Sequence, residues 1–534
     1  MNWREKGALR SRLEISPRLA FLVVLALAFI SLACWSFADP LVAAPDEQAH
    51  LLRAYALDHG QLGSPTKPAS RVLENVTVPT SLYYSAIYPI CWHMHADIAA
   101  TCSSPWPTSE TPATIPIYVD HYPPLYYLFV GSASFVSQQP SGIYLMRLIS
   151  SLMSAFMVAA AAYAIARWSR RRALYVGLYV SLVPEAYFLA SSVNPSGFEI
   201  TTSICLWTLV AIFALEYRDD PPAALVVWLG TVAAILVLVR SLSPLWVALA
   251  GATLVLLVGP RNALLLVRRR RDLQVATGAI AAVTVIAITW IFTQGALNIL
   301  PVGAGVPKRD SMFAVLRIVS SYVQGWMRET VGILGWLDTE LPGIVYKSWY
   351  AVVLGVLIVA LSRGSWRERL AVVSLGTLTF AIPVALVTRQ AKVLGVVWQG
   401  RDDLPLAVGA FIMAVAICGE PAARLSLRVV GGMDAGLRRR ISRQVMVGVI
   451  GVVALANVLS FYTNLRRYAV GRYGPKMFFL HHQGWSPPTG QLTTLLVYVL
   501  VTLVFAGLLA SWVWVYPQTL ATDERAHPQI DPVR

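Results

Sequence analysis

Twelve runs of apolar residues dominate this sequence: 19–38, 143–166, 173–190, 198–216, 222–239, 243–259, 273–293, 342–361, 370–388, 403–419, 444–464 and 491–515. Most are close to the roughly 20 residues that carry a helix across a bilayer. Hydrocarbon offers no partner for a stray N–H or C=O, so each such run has to satisfy its own backbone, and a helix does this locally. The runs therefore predict an all-α integral membrane protein with a bundle of about twelve transmembrane helices in a single polytopic domain, 1–534. Composition agrees: 56% of residues are hydrophobic and 13% charged, against roughly 25% charged in an ordinary soluble domain. The mean hydropathy is +0.60. A disordered chain, a secreted disulfide mini-protein and a conventional cytosolic enzyme are excluded. Five scattered cysteines encode neither a disulfide framework nor a zinc ribbon.

Charge orients the spans. The net charge of +15 reads as basic cytoplasmic loops rather than nucleic-acid binding. Arg4, Lys6, Arg10, Arg12 and Arg18 place the N-terminus inside, and 19–38 is long for a cleaved signal peptide. Arg167 and Arg170–Arg172 also belong inside. That parity holds only if the short run 123–136 does not cross, so it reads as a juxtamembrane or re-entrant helix. Arg268–Arg271, Arg363/Arg367/Arg369 and Arg438–Arg440 with Arg443 then fall inside as well, and so do both termini. The segments left outside are 39–141, 294–341 and 465–490, with a shorter one at 389–402. Within 294–341, Met312, Leu316, Val319, Val323, Trp326 and Thr330 make one helical face, predicting an amphipathic helix in the interface.

The inner loops are too short for a nucleotide site, and no Walker-type or G-x-G-x-x-G sequence occurs. Polar chemistry gathers outside. The first outer loop opens Ala44-Pro45-Asp46-Glu47-Gln48-Ala49-His50 and runs on to Arg53. Pro45 suits a first helical turn. Asp46 and Glu47 would sit at the positive end of the helix dipole, with Asp46, His50 and Arg53 on one face. An ionised carboxylate there can serve as general base toward a hydroxyl; an ordinary helix start, whose acids only complement the dipole, is the plainer alternative. Asp120-His121-Tyr122-Pro123-Pro124 enters the short helix, and Asn194-Pro195-Ser196-Gly197-Phe198-Glu199 reads as a loop cap. Gln399-Gly400-Arg401-Asp402-Asp403 puts an arginine on the outer side, where a guanidinium can grip phosphate through paired hydrogen bonds, or else pair with Asp402 or Asp403. Arg466, Arg467, Arg472 and Lys476 read as a surface facing lipid headgroups. Outside, Cys91 and Cys102 are free to form a disulfide, and His93, His95 and Asp97 alternate as weak candidates for a divalent metal. No metal site and no cofactor is assigned.

The Pro45–Tyr55 pattern, PDE-x-x-H-x-x-R-A-Y, resembles a family of bacterial membrane proteins carried as a domain of unknown function and allied to the GT-C glycosyltransferases. His121-Tyr122-Pro123-Pro124-Leu125-Tyr126-Tyr127 is similar to the family's H-P-P-L-Y-Y element with one inserted tyrosine. Gln399–Pro405 is similar to its Q-G-R-Y-x-x-P element, with Asp402 in place of the aromatic. The resemblance implies a GT-C-like bundle with extracytoplasmic juxtamembrane helices in the bacterial cytoplasmic membrane. It further implies an extracytoplasmic site that transfers sugar from a polyprenyl-phosphate donor to a glycan or glycolipid, with inversion. Asp46 is then the expected base, Glu47 second in line, and His50, Arg53, His121, Gln399 and Arg401 the expected substrate-binding residues. A transporter or flippase of lipid-linked glycans is the alternative in another class, and a catalytically inactive scaffold for envelope assembly a third.

Overall fold

The computed structural model describes residues 16–61, 74–87, 91–103, 105–297, 306–307, 310–419 and 435–514. The basic N-terminal residues before Arg18 lie outside the described residues. The chain is a helical bundle. In order, the helices are α1 (Pro17–Ala38), α2 (Glu47–Asp58), α3 (Thr80–Ile87), α4 (Leu125–Gly131), α5 (Pro140–Trp168), α6 (Leu174–Ser181), α7 (Pro184–Ala190), α8 (Pro195–Glu216), α9 (Ala223–Val237), α10 (Ser243–Val258), α11 (Pro260–Arg269), α12 (Arg271–Thr293), α13 (Met312–Ser321), α14 (Val323–Val331), α15 (Gly343–Arg363), α16 (Trp366–Leu394), α17 (Gly400–Cys418), α18 (Ala435–Val470) and α19 (Gln491–Trp514).

Every apolar run lies on a helix or a helix pair. Among the described residues, eight helices are long and apolar enough to cross a membrane: α1, α5, α8, α12, α15, α16, the 440–470 part of α18, and α19. The pair α10–α11, bent by 102°, makes a ninth if it counts as one span. The bend falls at Gly259, whose φ of +97° suits a residue without a Cβ. α11 then presents Leu264 and Leu265 to the surroundings and ends on Arg268 and Arg269. Three expected spans depart from plain long helices. The run 173–190 breaks into α6 and α7 at Leu182–Val183, because Pro184 cannot donate to the preceding turn. α9 has only 15 residues. α17 carries Arg401, Asp402 and Asp403 in its first turn.

α8 is the hub: nearly all its residues are buried, and it packs against α5, α7, α9, α10 and α17. α12 is its opposite, with Val275, Val285, Ile286 and Phe292 exposed as a lipid-facing helix requires. The short run 123–136 forms α4 and one 3-10 turn, Ser132–Phe135. At about 1.5 Å per residue it is far too short to cross.

The mainly helical expectation has two small exceptions. Strand β1 (Glu74–Pro79) pairs antiparallel with β2 (Pro112–Ile117), from Glu74↔Ile117 to Pro79↔Pro112. Strand β3 (Ile333–Leu334) pairs with β4 (Thr339–Glu340). The single amphipathic helix expected at 312–330 is two helices, α13 and α14, broken at Tyr322. Its buried stripe is Val315, Val319 and Trp326, while Met312 and Leu316 point outward with Phe313. Cys91 and Cys102 are disulfide-bonded. Arg467 is not a headgroup-facing residue: it is buried and donates to the carbonyls of Trp92 and Ile98 and to Asp338. Two separate segments, 91–103 and the β3–β4 turn, are thereby pinned to the end of α18.

Candidate functional site at one end of the bundle

The site forms where α1 ends. Asp46 occupies the left-handed region at φ +65°, a conformation Asp tolerates better than most residues. It caps α2, which begins at Glu47, so Pro45 lies just before the helix instead of in its first turn. The Asp46 carbonyl accepts from the Ala49 and His50 N–H groups. Its side chain makes no cap bond and turns away from the helix. Arg401 Nη2 donates to Asp46 Oδ2 at 2.5 Å, and the Tyr118 hydroxyl donates to Oδ1 at 2.6 Å. Two motifs 355 residues apart in sequence thus meet in one ion pair.

Glu47 does something else. It is wholly buried in a paired contact with Arg147, Nε to Oε1 at 2.7 Å and Nη2 to Oε2 at 2.6 Å, and Oε1 also accepts from the Val193 N–H at 3.1 Å. The other Arg147 donors go to the carbonyls of Ser36, Asp39 and Pro40. Asn194 accepts from the Ser196 N–H and donates to the Pro45 carbonyl. It is the expected cap and also a strap. The turn bearing Asp46 is therefore fastened to α1, α5 and α8, and Glu47 serves as its anchor.

Beside the Asp46–Arg401 pair lies a second network. Arg240, from the α9–α10 turn, donates to Glu199 Oε2 and Asp402 Oδ1, both at 3.0 Å, while Ser243 and Trp246 donate to Glu199 Oε1. Asp402 Oδ2 accepts from the Gln399 N–H at 3.3 Å, which closes the start of α17. The Gly400 N–H donates to Glu329 Oε2 at 2.7 Å. A Cβ on Gly400 would lie 2.4 Å from the Trp326 carbonyl oxygen and 2.5 Å from Glu329 Cβ, so only glycine seats this turn against α14. The Trp326 indole donates to the Trp398 carbonyl, and the Trp398 indole to Asp403.

The remaining expected residues line or back this centre. His50 Nδ1 is 2.8 Å from the Tyr127 hydroxyl, and the His50 ring lies 5.9 Å from that of Tyr122. His121 Nδ1 is 3.1 Å from Asp120 Oδ1, and its carbonyl accepts from the Trp290 indole of α12. Arg53 is buried deeper in α2, within electrostatic reach of Tyr127.

Burial pushes the His50 imidazole down to about 3, with Arg401 and Arg240 adding to the effect despite Asp46, so His50 is neutral at pH 7. Burial alone would raise the Asp46 carboxyl, but the Arg401 guanidinium and the Tyr118 hydrogen bond outweigh it and hold Asp46 below the ordinary carboxylate value. Burial and the Asp46 charge push the Tyr118 phenol up, so it remains a donor. Among the described residues, no group of three or more His, Cys, Asp or Glu side chains is placed to hold a metal ion. His93 instead stands edge-on against Trp336.

An apolar groove of about 620 Å³ runs between α9 and α12. Small residues open it, among them Gly230, Ala234 and Ala276. Leu125, four residues past His121, also lines it, as do Arg271 and Asp272 at the start of α12.

The buried helical bundle, the lipid-facing α12 and a polar centre confined to one end define a polytopic membrane protein. The sequence matches the family described as predicted membrane protein DUF2142 over residues 29–410, and the chain belongs to that family. The match takes in Asp46, His121, Arg240 and Arg401 together. No curated protein matches the chain.

Proposed function

We propose that this protein is a membrane glycosyltransferase of GT-C type, with about twelve spans, both termini cytoplasmic and its site on the extracytoplasmic side of the bacterial cytoplasmic membrane. It moves a sugar from a polyprenyl-phosphate donor to a glycan or glycolipid acceptor. The observation carrying this reading is the convergence of Asp46 and Arg401: a fixed carboxylate and a guanidinium in a part-exposed polar centre at the end of an apolar bundle. In the transfer step, the sugar C1–O bond breaks with its electron pair leaving on the phosphate. The acceptor oxygen forms the new bond to C1 from the opposite face, and its proton passes to Asp46. Arg401 meets the charge that grows on the phosphate, with Arg240 beside it. The α9–α12 groove, with Leu125 of α4 in its lining, offers the lipid tail an apolar path. Glu47 anchors the base, and His50, held neutral, shapes its surroundings.

The test is purified protein in nanodiscs, given radiolabelled polyprenyl-phosphate hexoses or nucleotide sugars with a membrane-glycan extract. Label reaching the acceptor from the lipid donor alone is the expected result; label from nucleotide sugars alone overturns the donor class.

One observation favours the transporter reading instead. α6 and α7 form a broken helix, and at the break Glu185 is buried with Oε2 lacking a hydrogen-bond partner among the described residues. Broken helices with buried ionisable groups mark transport pathways. Movement of intact lipid-linked glycan across proteoliposomes without transfer is the outcome that reading requires.

A further inference from the structure

Arg401 cannot hold a phosphate as it stands, because its nearest donor already serves Asp46. Nη2 is on Asp46 Oδ2 at 2.5 Å. Nε and Nη1 are buried with no partner among the described residues. Two donors of a planar fork are thus held away from water, beside a third that is engaged. Nε and Nη1 lie on different edges of the fork, so an oxyanion with two oxygens grips Nε with Nη2 or Nη1 with Nη2, and both faces run through the nitrogen that Asp46 engages. Asp402, the next residue, cannot take the place of Asp46, because Arg240 and the Gln399 N–H occupy its two oxygens. Asp46 keeps a second support whatever Arg401 does, since the Tyr118 hydroxyl is on its other oxygen.

We propose that the donor phosphate takes Arg401 from Asp46, so that the catalytic base is unmasked only when the donor is in place. This rests on the sugar-transfer reading and adds a binding order to it. In the resting site one carboxylate does two jobs: it neutralises Arg401, and it is itself too well satisfied to accept a proton. A phosphodiester carries its own negative charge and can offer two oxygens to Nη2 and one of its vacant neighbours, Nε or Nη1. As the guanidinium turns to it, Asp46 loses its cationic partner and keeps the Tyr118 hydrogen bond and the neighbouring His50. The largest influence holding the carboxyl down against burial is then gone. The carboxylate becomes a stronger base at the moment a sugar is present to be transferred. An acceptor arriving first meets a masked base, so donor binding precedes productive acceptor binding.

The exchange makes an unusual demand: removing the proposed base should tighten donor binding. The experiment measures equilibrium binding of a polyprenyl monophosphate to the full-length protein in phosphatidylcholine nanodiscs. The unphosphorylated polyprenol serves as blank and inorganic phosphate as the soluble comparison. Asp46→Asn keeps the shape of the turn, and Asp46→Ala removes the side chain's polar atoms; thermal melting of each variant confirms that it is folded. Both should bind the lipid phosphate about tenfold tighter than the wild type, the size of effect expected from freeing a close charge pair. If the wild type binds and both variants bind equally or more weakly, the exchange is wrong while the sugar-transfer reading stands. Saturable binding by none of the three proteins removes the lipid-phosphate donor and the exchange with it. Tightening seen with inorganic phosphate alone upholds the exchange but assigns it a soluble ligand.

Discussion

Arg147→Met should be among the most damaging single changes outside the polar centre, and its cost can be worked from the contacts. All five N–H donors of Arg147 are used: two on Glu47, and one each on the carbonyls of Ser36, Asp39 and Pro40. Arg147 and Glu47 are 1% and 0% exposed. Methionine fills much of the volume but leaves the Glu47 carboxylate buried with only the Val193 N–H. Breaking a buried pair from one side costs about 3–5 kcal/mol, chiefly through the stranded charge. Glu47→Gln combined with Arg147→Met removes that charge, so the double variant should be more stable than Arg147→Met alone, with a coupling of about 1–3 kcal/mol. Thermal unfolding in one detergent, followed by tryptophan fluorescence, gives the ranking: wild type, then the double variant, then Arg147→Met. Arg147→Met as stable as the wild type, or a double variant that loses the sum of the two single losses, refutes the anchoring role.

Two further outcomes follow from the same contacts. Gly400→Ala places a methyl against the Trp326 carbonyl and Glu329; overpacking of this kind costs about 1–3 kcal/mol. It should displace Arg401, so sugar transfer should fall well before the protein melts in the assay, and full activity would show that the turn has slack. Burial, against the pull of Arg147 and Asn464, raises Asp39 from 3.8 to about 7. A raised acid favours the folded state most fully below the unfolded value near 4 and loses that contribution as pH rises through about 7. Asp39→Asn should therefore flatten the decline in melting temperature between pH 4 and 7; an unchanged slope assigns the dependence to other groups.

How much of this was legible in the sequence differs by residue. The apolar runs located the helices, because a bilayer imposes length and composition directly. The breaks at Pro184 and Gly259 also carry local signals, a proline and a glycine within apolar runs. Asp46 and Arg401 were visible as candidates in their own motifs, but their contact was not, since nothing local encodes proximity across 355 residues. Arg147 carries a signal of its own: a charged residue inside the run 143–166 is expensive in a membrane and requires a partner. Arg240 stands at the end of an apolar run and gave a weaker version of the same hint. Tyr118 had none, because a tyrosine in a long polar loop resembles any interfacial tyrosine. Arg467 departs from its expected place because a basic residue near a membrane end looks alike in sequence whether it faces headgroups or clamps two loops.

The central claim is that Asp46 accepts the acceptor's proton during sugar transfer from a lipid phosphate. The most direct measurement is the single-turnover rate of transfer from a polyprenyl-phosphate sugar in nanodiscs, comparing the wild type with Asp46→Asn at saturating donor and acceptor. Loss of a positioned base predicts a rate lower by about a hundredfold or more, with the variant still folded and still occupied by donor. Transfer at the wild-type rate in Asp46→Asn would contradict the account and move the chemistry to another residue.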